Sequence, residues 1–339
     1  MTLISTSLLA APIKPADWQP LPDIPDPLGL AGAFAGVSNG SLLVAGGANF
    51  PGKMPWEGGT KKWHDTVWVL DRPDGNWREA GHLLFPLGYG VSATTPDGVI
   101  CAGGSDSQGH HREVFRLSWK DNHLNIETLP SLPIAMANCF GTIVASRLYV
   151  AGGNERPGEQ ECLSRAFVFD LTTPSNQWRE IEPLPGKGRF LCTAAAHGNA
   201  LFIMGGTTLE PDPAGRMGRM YLKDTWSYGP GRGWKKHADM PHAAVAAPSP
   251  APVIDGQALV ISGDDGSHWG FQPPDKHPGF PSRIQGYDFS KDEWSPAGEL
   301  PAGRAVLPCV EWQGGVVVIN GEQRPGVRSP VVWGLGVSH

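Results

Sequence analysis

The stretch LLVAGG at residues 42–47 recurs with drift along the whole chain, as VICAGG at 99–104, LYVAGG at 148–153, LFIMGG at 201–206, LVISGD at 259–264 and VVVINGE at 316–322. Each copy is a strand-sized apolar run closed by a glycine pair or its relic, and the copies lie about 50 to 58 residues apart. A period in this range marks a propeller or solenoid, because each unit buries its apolar faces only against its neighbours. The expected fold is therefore all-β, a β-propeller of six blades.

A second marker carries the same period. Trp18, Trp77, Trp178, Trp234 and Trp294 each open a short segment that ends in a proline turn, such as WREIEPLP at 178–185. Each precedes the next glycine pair or its equivalent by 26 to 28 residues. The third unit has IETLPSLP at 126–133 and lacks the tryptophan. After each glycine ending come a variable loop and an aromatic-rich run, such as TVWVLD at 66–71 or AFVFDL at 166–171. Each blade is thus predicted to have an inner strand, a second strand ending at the glycines, a third aromatic strand and an outer strand starting near tryptophan. The tryptophans read as packing residues that fill the widening space between blades.

The last unit supplies three strands, and the segment from Trp18 to Leu21 is an outer strand without a blade. Pairing the N-terminal strand with the C-terminal blade closes the ring and removes an exposed sheet edge. The chain is expected to form a single domain over 1–339, with an N-terminal extension at 1–15 and six blades over 16–339.

Composition fits this picture. The 339 residues include 45 Gly and 33 Pro, with 18% charged residues and a net charge of −6. That balance, without a basic cluster, argues against nucleic-acid binding. No apolar run reaches the roughly 18 residues that a membrane helix needs, so no membrane partner is expected. The N-terminal stretch has neither the charged region nor the apolar length of a convincing signal peptide, which leaves periplasm and cytoplasm both open. Five cysteines, an odd number without CxxC spacing, read as buried small hydrophobes.

Strands alternate direction within a blade, so the loops after the second strands and the connections between blades share one face. Long loops on a rigid scaffold commonly carry function. Asp264, Asp265 and His268, and the pair His110 and His111, are residue types that can bind metal, but their spacing and context favour no metal. Glu155 and Arg156 read first as local turn chemistry, with a second site as the alternative. Arg189 and Arg304 follow proline turns at the start of inner strands, where they either face the central funnel and bind an acid or anchor neighbouring turns. Leu87 occupies the corresponding place between the first two blades, so the pattern is not uniform.

The glycine endings and Trp…Leu-Pro turns resemble kelch repeats over nearly the whole chain. Two longer stretches are more specific. NGEQRPGVRS at 320–329 is similar to the active-site loop of the kelch-type N-acetylneuraminate epimerases, or sialic acid mutarotases. GVSNGSLLVAGGANF at 36–50, followed by EGGTKK at 57–62, is similar to that family's lysine-bearing loop. The blade order is rotated relative to familiar members and resembles the cyclically permuted branch.

This resemblance implies an isomerase that exchanges the α and β anomers of N-acetylneuraminate or a related acidic keto sugar. Such ring opening needs acid/base groups and no cofactor. Glu322 is the implied general base or acid, and Arg328 the implied catalytic partner, suited to hold a sugar carboxylate in a bidentate pair. Arg324 adds positive potential or lies in solvent. Asn49, Phe50, Glu57 and Lys61, with Lys62 beside it, are candidates to shape the pocket, together with Arg189 and Arg304. The partner is then a small acidic sugar, and a homodimer is possible. Two alternatives remain: a non-catalytic propeller that binds glycan or protein, with Glu322 and Arg328 as a loop salt bridge, and a mutarotase or dehydratase for another keto sugar.

Overall fold

The structure, a computed structural model, describes residues 11–173, 177–211 and 215–338. Among these residues six four-stranded antiparallel sheets form the blades of a β-propeller. Five blades are continuous in sequence. They run from Phe34–Ser38 to Arg78–His82, from Val91–Thr95 to His123–Leu129, from Phe140–Val144 to Arg179–Ile181, from Thr193–His197 to Gly233–His237, and from Val253–Ile254 to Glu293–Glu299. The sixth combines Cys309–Trp312, Gly315–Ile319 and Val332–Leu335 with Trp18–Leu21 as its outer strand.

The two ends of the chain meet in that sixth blade. Trp18 pairs with Leu335 and Leu21 with Val332 in an antiparallel ladder. Upstream, Ile13 is buried and exchanges backbone hydrogen bonds with Ala297 and Glu299 of the fifth blade, at 2.8 and 2.9 Å. Part of the expected N-terminal extension is thus docked on the propeller.

Side-chain alternation explains why the second strands read as unbroken apolar runs. Leu42 and Val44 pack toward the sixth blade with Val317 and Ile319, whereas Leu43 and Ala45 pack toward the second blade with Val99 and Cys101. Both faces of a blade are core, so the usual alternation of apolar and polar residues disappears. Cys101, Cys139, Cys192 and Cys309 are buried free thiols within these layers.

The five outer-strand tryptophans do more than fill space. Each indole N–H donates to a backbone carbonyl at the outer edge of the preceding blade. Trp18 reaches Glu299, Trp77 reaches Pro22, Trp178 reaches Pro130, Trp234 reaches Glu182 and Trp294 reaches Ala238, over 2.7 to 3.1 Å. These contacts give each indole donor a partner at a blade junction and tie neighbouring blades together.

The glycine endings turn the chain where it reaches the functional face. At Gly46, φ is +64°, and a Cβ there would lie 2.1 Å from the Leu87 carbonyl oxygen. Ser262 and Asn320 replace the first glycine in the last two blades and keep the left-handed turn, with φ of 58° and 56°.

Candidate active site

The residue after each glycine pair forms an isolated bridge with the incoming connection from the previous blade. Ala48 bridges Ala31, Ser105 bridges Gly88, Asn154 bridges Ala137, Thr207 bridges Phe190, Asp264 bridges Val245 and Glu322 bridges Ala305. The repeat therefore delivers six equivalent positions around the axis, and two of them, in adjacent blades, are acidic.

One residue beyond the incoming bridge position stand Gly32, Tyr89, Asn138, Leu191, Ala246 and Val306, all with left-handed φ between 54° and 66°. Their amides form a closed ring of hydrogen bonds. Tyr89 N–H donates to the Gly32 carbonyl, Asn138 to Tyr89, Leu191 to Asn138, Ala246 to Leu191, Val306 to Ala246 and Gly32 to Val306, over 2.7 to 3.1 Å. Left-handed backbone is costly for Leu and especially for β-branched Val, so the ring is held by its surroundings. Above it lies a cavity of about 460 Å³, walled by Glu322, Asp264, Lys61, Arg219 and the side chains of the loop from Asp264 to Arg283. A second lobe of about 670 Å³ shares Lys61, Tyr89, Asn138 and Arg219 with the first and extends toward Ser105 and Asn154.

The segment NGEQRPGVR is a hairpin. Glu322–Arg324 pairs with Val327–Arg328 across a Pro325-Gly326 tip, a sequence suited to a tight turn with φ > 0 at the glycine. Glu322 and Arg328 are direct cross-strand partners, so their six-residue spacing brings both side chains together. Glu322 Oε1 accepts from Arg328 Nη2 at 2.9 Å.

Arg328 is held from several sides, with only Nη1 buried without a hydrogen-bond partner. Its side chain is 3% exposed. Nε donates to the Ala48 carbonyl at 3.3 Å and Nη2 approaches the Tyr89 hydroxyl at 3.4 Å. The guanidinium lies over Phe50, 4.7 Å from the ring centre. Phe50 thus supports the arginine, and the first and sixth blades are joined at the site.

Glu322 keeps 15% of its side chain exposed, at the cavity wall. Burial raises its carboxyl above the ordinary glutamate value. Arg328, Lys61, the Gly326 amide and Arg219 each pull in the opposite direction without cancelling the effect. A carboxylate with raised proton affinity, opening into a cavity, is equipped to take and return a proton.

The other candidates are distributed unevenly. Lys61 lines the cavity, with its ammonium 4.8 Å from the Tyr89 ring centre and 5.2 Å from that of Trp63. Asn49 is buried, donating to Asp26 at 3.0 Å and to the Gly29 carbonyl at 3.1 Å, with His64 at 2.9 Å. Glu57 closes the short helical turn Pro55–Glu57 by accepting from the Met54 amide at 2.8 Å. Lys62 is exposed on the two-residue strand Lys62–Trp63. Arg324 sits on the hairpin, where its charge acts on His277.

Arg189 and Arg304 stand at blade junctions and not among the residues that wall the cavity. Arg189 is 3% exposed and holds both oxygens of Asp224, at 2.7 and 2.9 Å. Arg304 donates to Ser329 Oγ at 3.1 Å and to the Gly303 carbonyl at 3.0 Å, lies over Trp333, and is pulled by burial down to about 10. Arg189→Met is expected to destabilise the protein by about 3 kcal/mol, because it leaves the Asp224 carboxylate without its partner. Asp224 is 22% exposed, which places the effect at the lower end for such pairs. Urea unfolding measures it.

Arg156 pairs with Glu159, whose carboxylate also accepts from the Glu155 and Arg156 amides, so this loop is closed by its own turn. Asp264 accepts from Tyr221, and Asp265 pairs with Arg283 at 3.1 Å. His268 packs edge-on against Phe271 and His277. His111 lies between Asp106 at 3.0 Å and Glu113 at 3.3 Å.

Tyr89, Asn138 and Arg219 were not singled out in sequence. The first two had a readable signal, since the floor residues lie fourteen positions before the first glycine position in five of the six units. Arg219 had none, because it sits in a hairpin of irregular length, formed by Thr207–Pro211 and Met217–Tyr221.

Comparison with known proteins adds a sequence relation for part of this site. A profile of N-acetylneuraminate epimerases matches residues 5–126. The resemblance is to the N-acetylneuraminate epimerases. A relative of that name from Yersinia pestis (strain Pestoides F) is 44% identical over 127 residues, covering 33% of this chain and 32% of its own length. Relatives of the same name from Brucella suis (40% over 129 residues, covering 33% of this chain and 32% of the relative) and Haemophilus influenzae strain PittEE (38% over 129 residues, covering 34% of each) match similarly. The chain thus spans about a third of the length of the curated relatives it matches. The epimerase-like segment holds Phe50, Lys61 and Tyr89, and the ring brings Glu322 and Arg328 against it. A solved structure titled "Structure of YjhT" shares the fold, with a TM-score of 0.65 and 17% identity over 91% of this chain and 94% of that one.

Proposed function

We propose that the protein is a mutarotase that exchanges the anomers of N-acetylneuraminate or a closely related acidic keto sugar. The observation that carries this reading is Glu322, a carboxyl of raised proton affinity at the wall of the axial cavity. The likeness of residues 5–126 to N-acetylneuraminate epimerases supplies the substrate class. A cyclic permutation of the blades suits this reading, because the last blade and the first are neighbours in a closed ring.

In the reaction, Glu322 takes the proton of the anomeric hydroxyl. The O–H electrons form the C2 carbonyl, the bond from C2 to the ring oxygen breaks, and the ring oxygen receives a proton. Rotation about the C2–C3 bond presents the other carbonyl face, and the reverse steps close the ring. Proton traffic of this kind contributes roughly 10²- to 10⁴-fold when the group is in place. Lys61 and Tyr89 line the same cavity and can donate hydrogen bonds to the ring oxygen. No redox change occurs, and the chemistry requires no cofactor.

Arg328 acts in this scheme as a positioning residue. It orients the Glu322 carboxylate and lowers a proton affinity that burial alone would raise further. Because the base must be ionised, kcat/KM should rise with pH through the Glu322 titration. Arg328→Gln is expected to move that limb to higher pH, and Arg328→Lys to restore part of the displacement. A pH profile of the enzyme-dependent rate checks both, and a uniform loss at every pH would leave Arg328 a purely structural role.

The direct test is proton NMR of freshly released α-N-acetylneuraminate, following appearance of the β anomer with and without protein. Acceleration above the spontaneous rate supports the reading. Saturable binding without acceleration would replace it with that of a sugar-binding propeller.

A further inference from the structure

An acidic keto sugar carries its carboxylate on the same carbon as the anomeric hydroxyl. Whatever grips that carboxylate must therefore share the cavity that Glu322 walls. Arg328 does not meet this requirement. It is not among the residues that wall the cavity but buried behind the carboxylate it orients, with Phe50 on its face, the Ala48 carbonyl on Nε and an unpartnered Nη1 that is itself buried.

Arg219 does meet it. The residue stands on the strand Met217–Tyr221 of the hairpin that rises from the fourth blade, and it walls both lobes of the cavity. Its side chain is 29% exposed. The guanidinium lies over Trp269, 5.1 Å from the ring centre, and over Phe190 at 5.6 Å, so aromatic packing holds it in place. Its ion-pair contact with Asp264, from Nη1 to Oδ2, is 4.0 Å long and falls short of a hydrogen bond.

Asp264 is meanwhile committed elsewhere. The Tyr221 hydroxyl donates to its Oδ2 at 2.7 Å and the Gly266 amide to its Oδ1 at 2.9 Å. The aspartate thus steadies the guanidinium from a distance, and the Tyr221 hydroxyl, which also interacts with Arg219, ties the two together at the cavity wall. Lys61 supplies a second positive charge in the same cavity, with its ammonium near the faces of Tyr89 and Trp63.

We infer that Arg219, assisted by Lys61, is the subsite that binds the carboxylate of the acidic sugar and so sets the preference for acid over neutral sugars. Arg219 would form the planar two-point pair that guanidinium and carboxylate groups favour, and Lys61 would add a point charge. The inference rests on the mutarotase reading for its substrate. It moves carboxylate recognition from the sixth blade, where the sequence motif alone would put it, to the fourth.

The test compares N-acetylneuraminate with its methyl ester, which keeps the anomeric hydroxyl and lacks the negative charge. Anomer exchange at equilibrium is measured by two-dimensional exchange NMR for wild type, Arg219→Gln and Arg219→Lys. Wild type should favour the acid over the ester. Arg219→Gln should raise KM for the acid about 10- to 100-fold, as expected for loss of charged hydrogen bonds, while kcat on the acid and both constants for the ester change by no more than a few-fold. Arg219→Lys, which keeps the charge and the aliphatic stem, should fall between the two.

An equal loss on acid and ester would overturn the inference, because a structural role weakens both alike. An unchanged KM for the acid in Arg219→Gln would overturn it as well. If wild type accelerates neither sugar, the mutarotase reading fails separately. Calorimetric titration then decides the subsite: acid binding that is lost in Arg219→Gln supports it, and acid and ester binding equally to wild type refutes it.

Discussion

Glu322→Gln should lower the enzyme-dependent rate of anomer exchange by roughly 10²- to 10⁴-fold, the usual contribution of a positioned acid/base group. The substitution keeps the shape of the side chain and an oxygen that can accept from Arg328 Nη2, now 2.9 Å from the carboxylate. The hairpin and the ring of backbone hydrogen bonds beneath it should therefore survive, which circular dichroism and the unfolding midpoint can verify. The lost function is proton acceptance, since an amide cannot take the proton of the anomeric hydroxyl. Residual acceleration would come from the cavity's cations and its ordering of the sugar. NMR of the α anomer gives the rate directly, and near wild-type activity in the variant would remove Glu322 from the reaction.

Trp18→Ala should destabilise the propeller by about 3–5 kcal/mol, as for other large aromatic truncations in a core. Trp18 is 5% exposed, packs with Ile13, Ile284 and Leu335, and donates its indole N–H to the Glu299 carbonyl at 3.1 Å. It also opens the strand that closes the ring. When this strand detaches, Val332–Leu335 loses its outer neighbour and becomes an open edge. Trp178→Ala is the internal comparison, because Trp178 makes the equivalent hydrogen bond to Pro130 at 2.7 Å but is only partly buried and lies inside a continuous blade. Urea unfolding of the two variants should show the larger loss for Trp18. Equal losses would mean that the closing strand contributes no more than any other outer strand.

The repeat was legible because two markers report different needs of the same blade. The glycine pairs mark a left-handed turn at which a side chain would strike the neighbouring connection, as at Gly46 against Leu87. The tryptophans mark the outer strand. Their role in packing could be read from size, but the donation of each indole N–H to the preceding blade depends on how adjacent sheets are set and has no trace in spacing. The pairing of Glu322 with Arg328 was nearly legible, since Pro325-Gly326 between them favours a hairpin. What Arg328 does with its remaining donors was not, because Ala48, Phe50 and Tyr89 belong to chain segments about 240 to 280 residues away.

Arg189 and Arg219 mark the boundary between the two kinds of information. Arg189 follows a turn at the start of an inner strand, which fits an axial position as well as a junction. Only the folded chain shows it bound to Asp224 between blades. Arg219 belongs to no repeated position, yet folding carries it to the cavity that Glu322 lines. The sequence by itself determined the six blades, the closure by the terminal strand and the presence of an acid on the loop-bearing face, because periodic apolar runs and turn residues act locally and repeat. The tertiary structure alone decided which charged side chains meet at the axis and which are spent at blade junctions. Apart from the hairpin pair of Glu322 and Arg328, those meetings join separate loops and blades, whose separation along the chain carries no record of their distance in space.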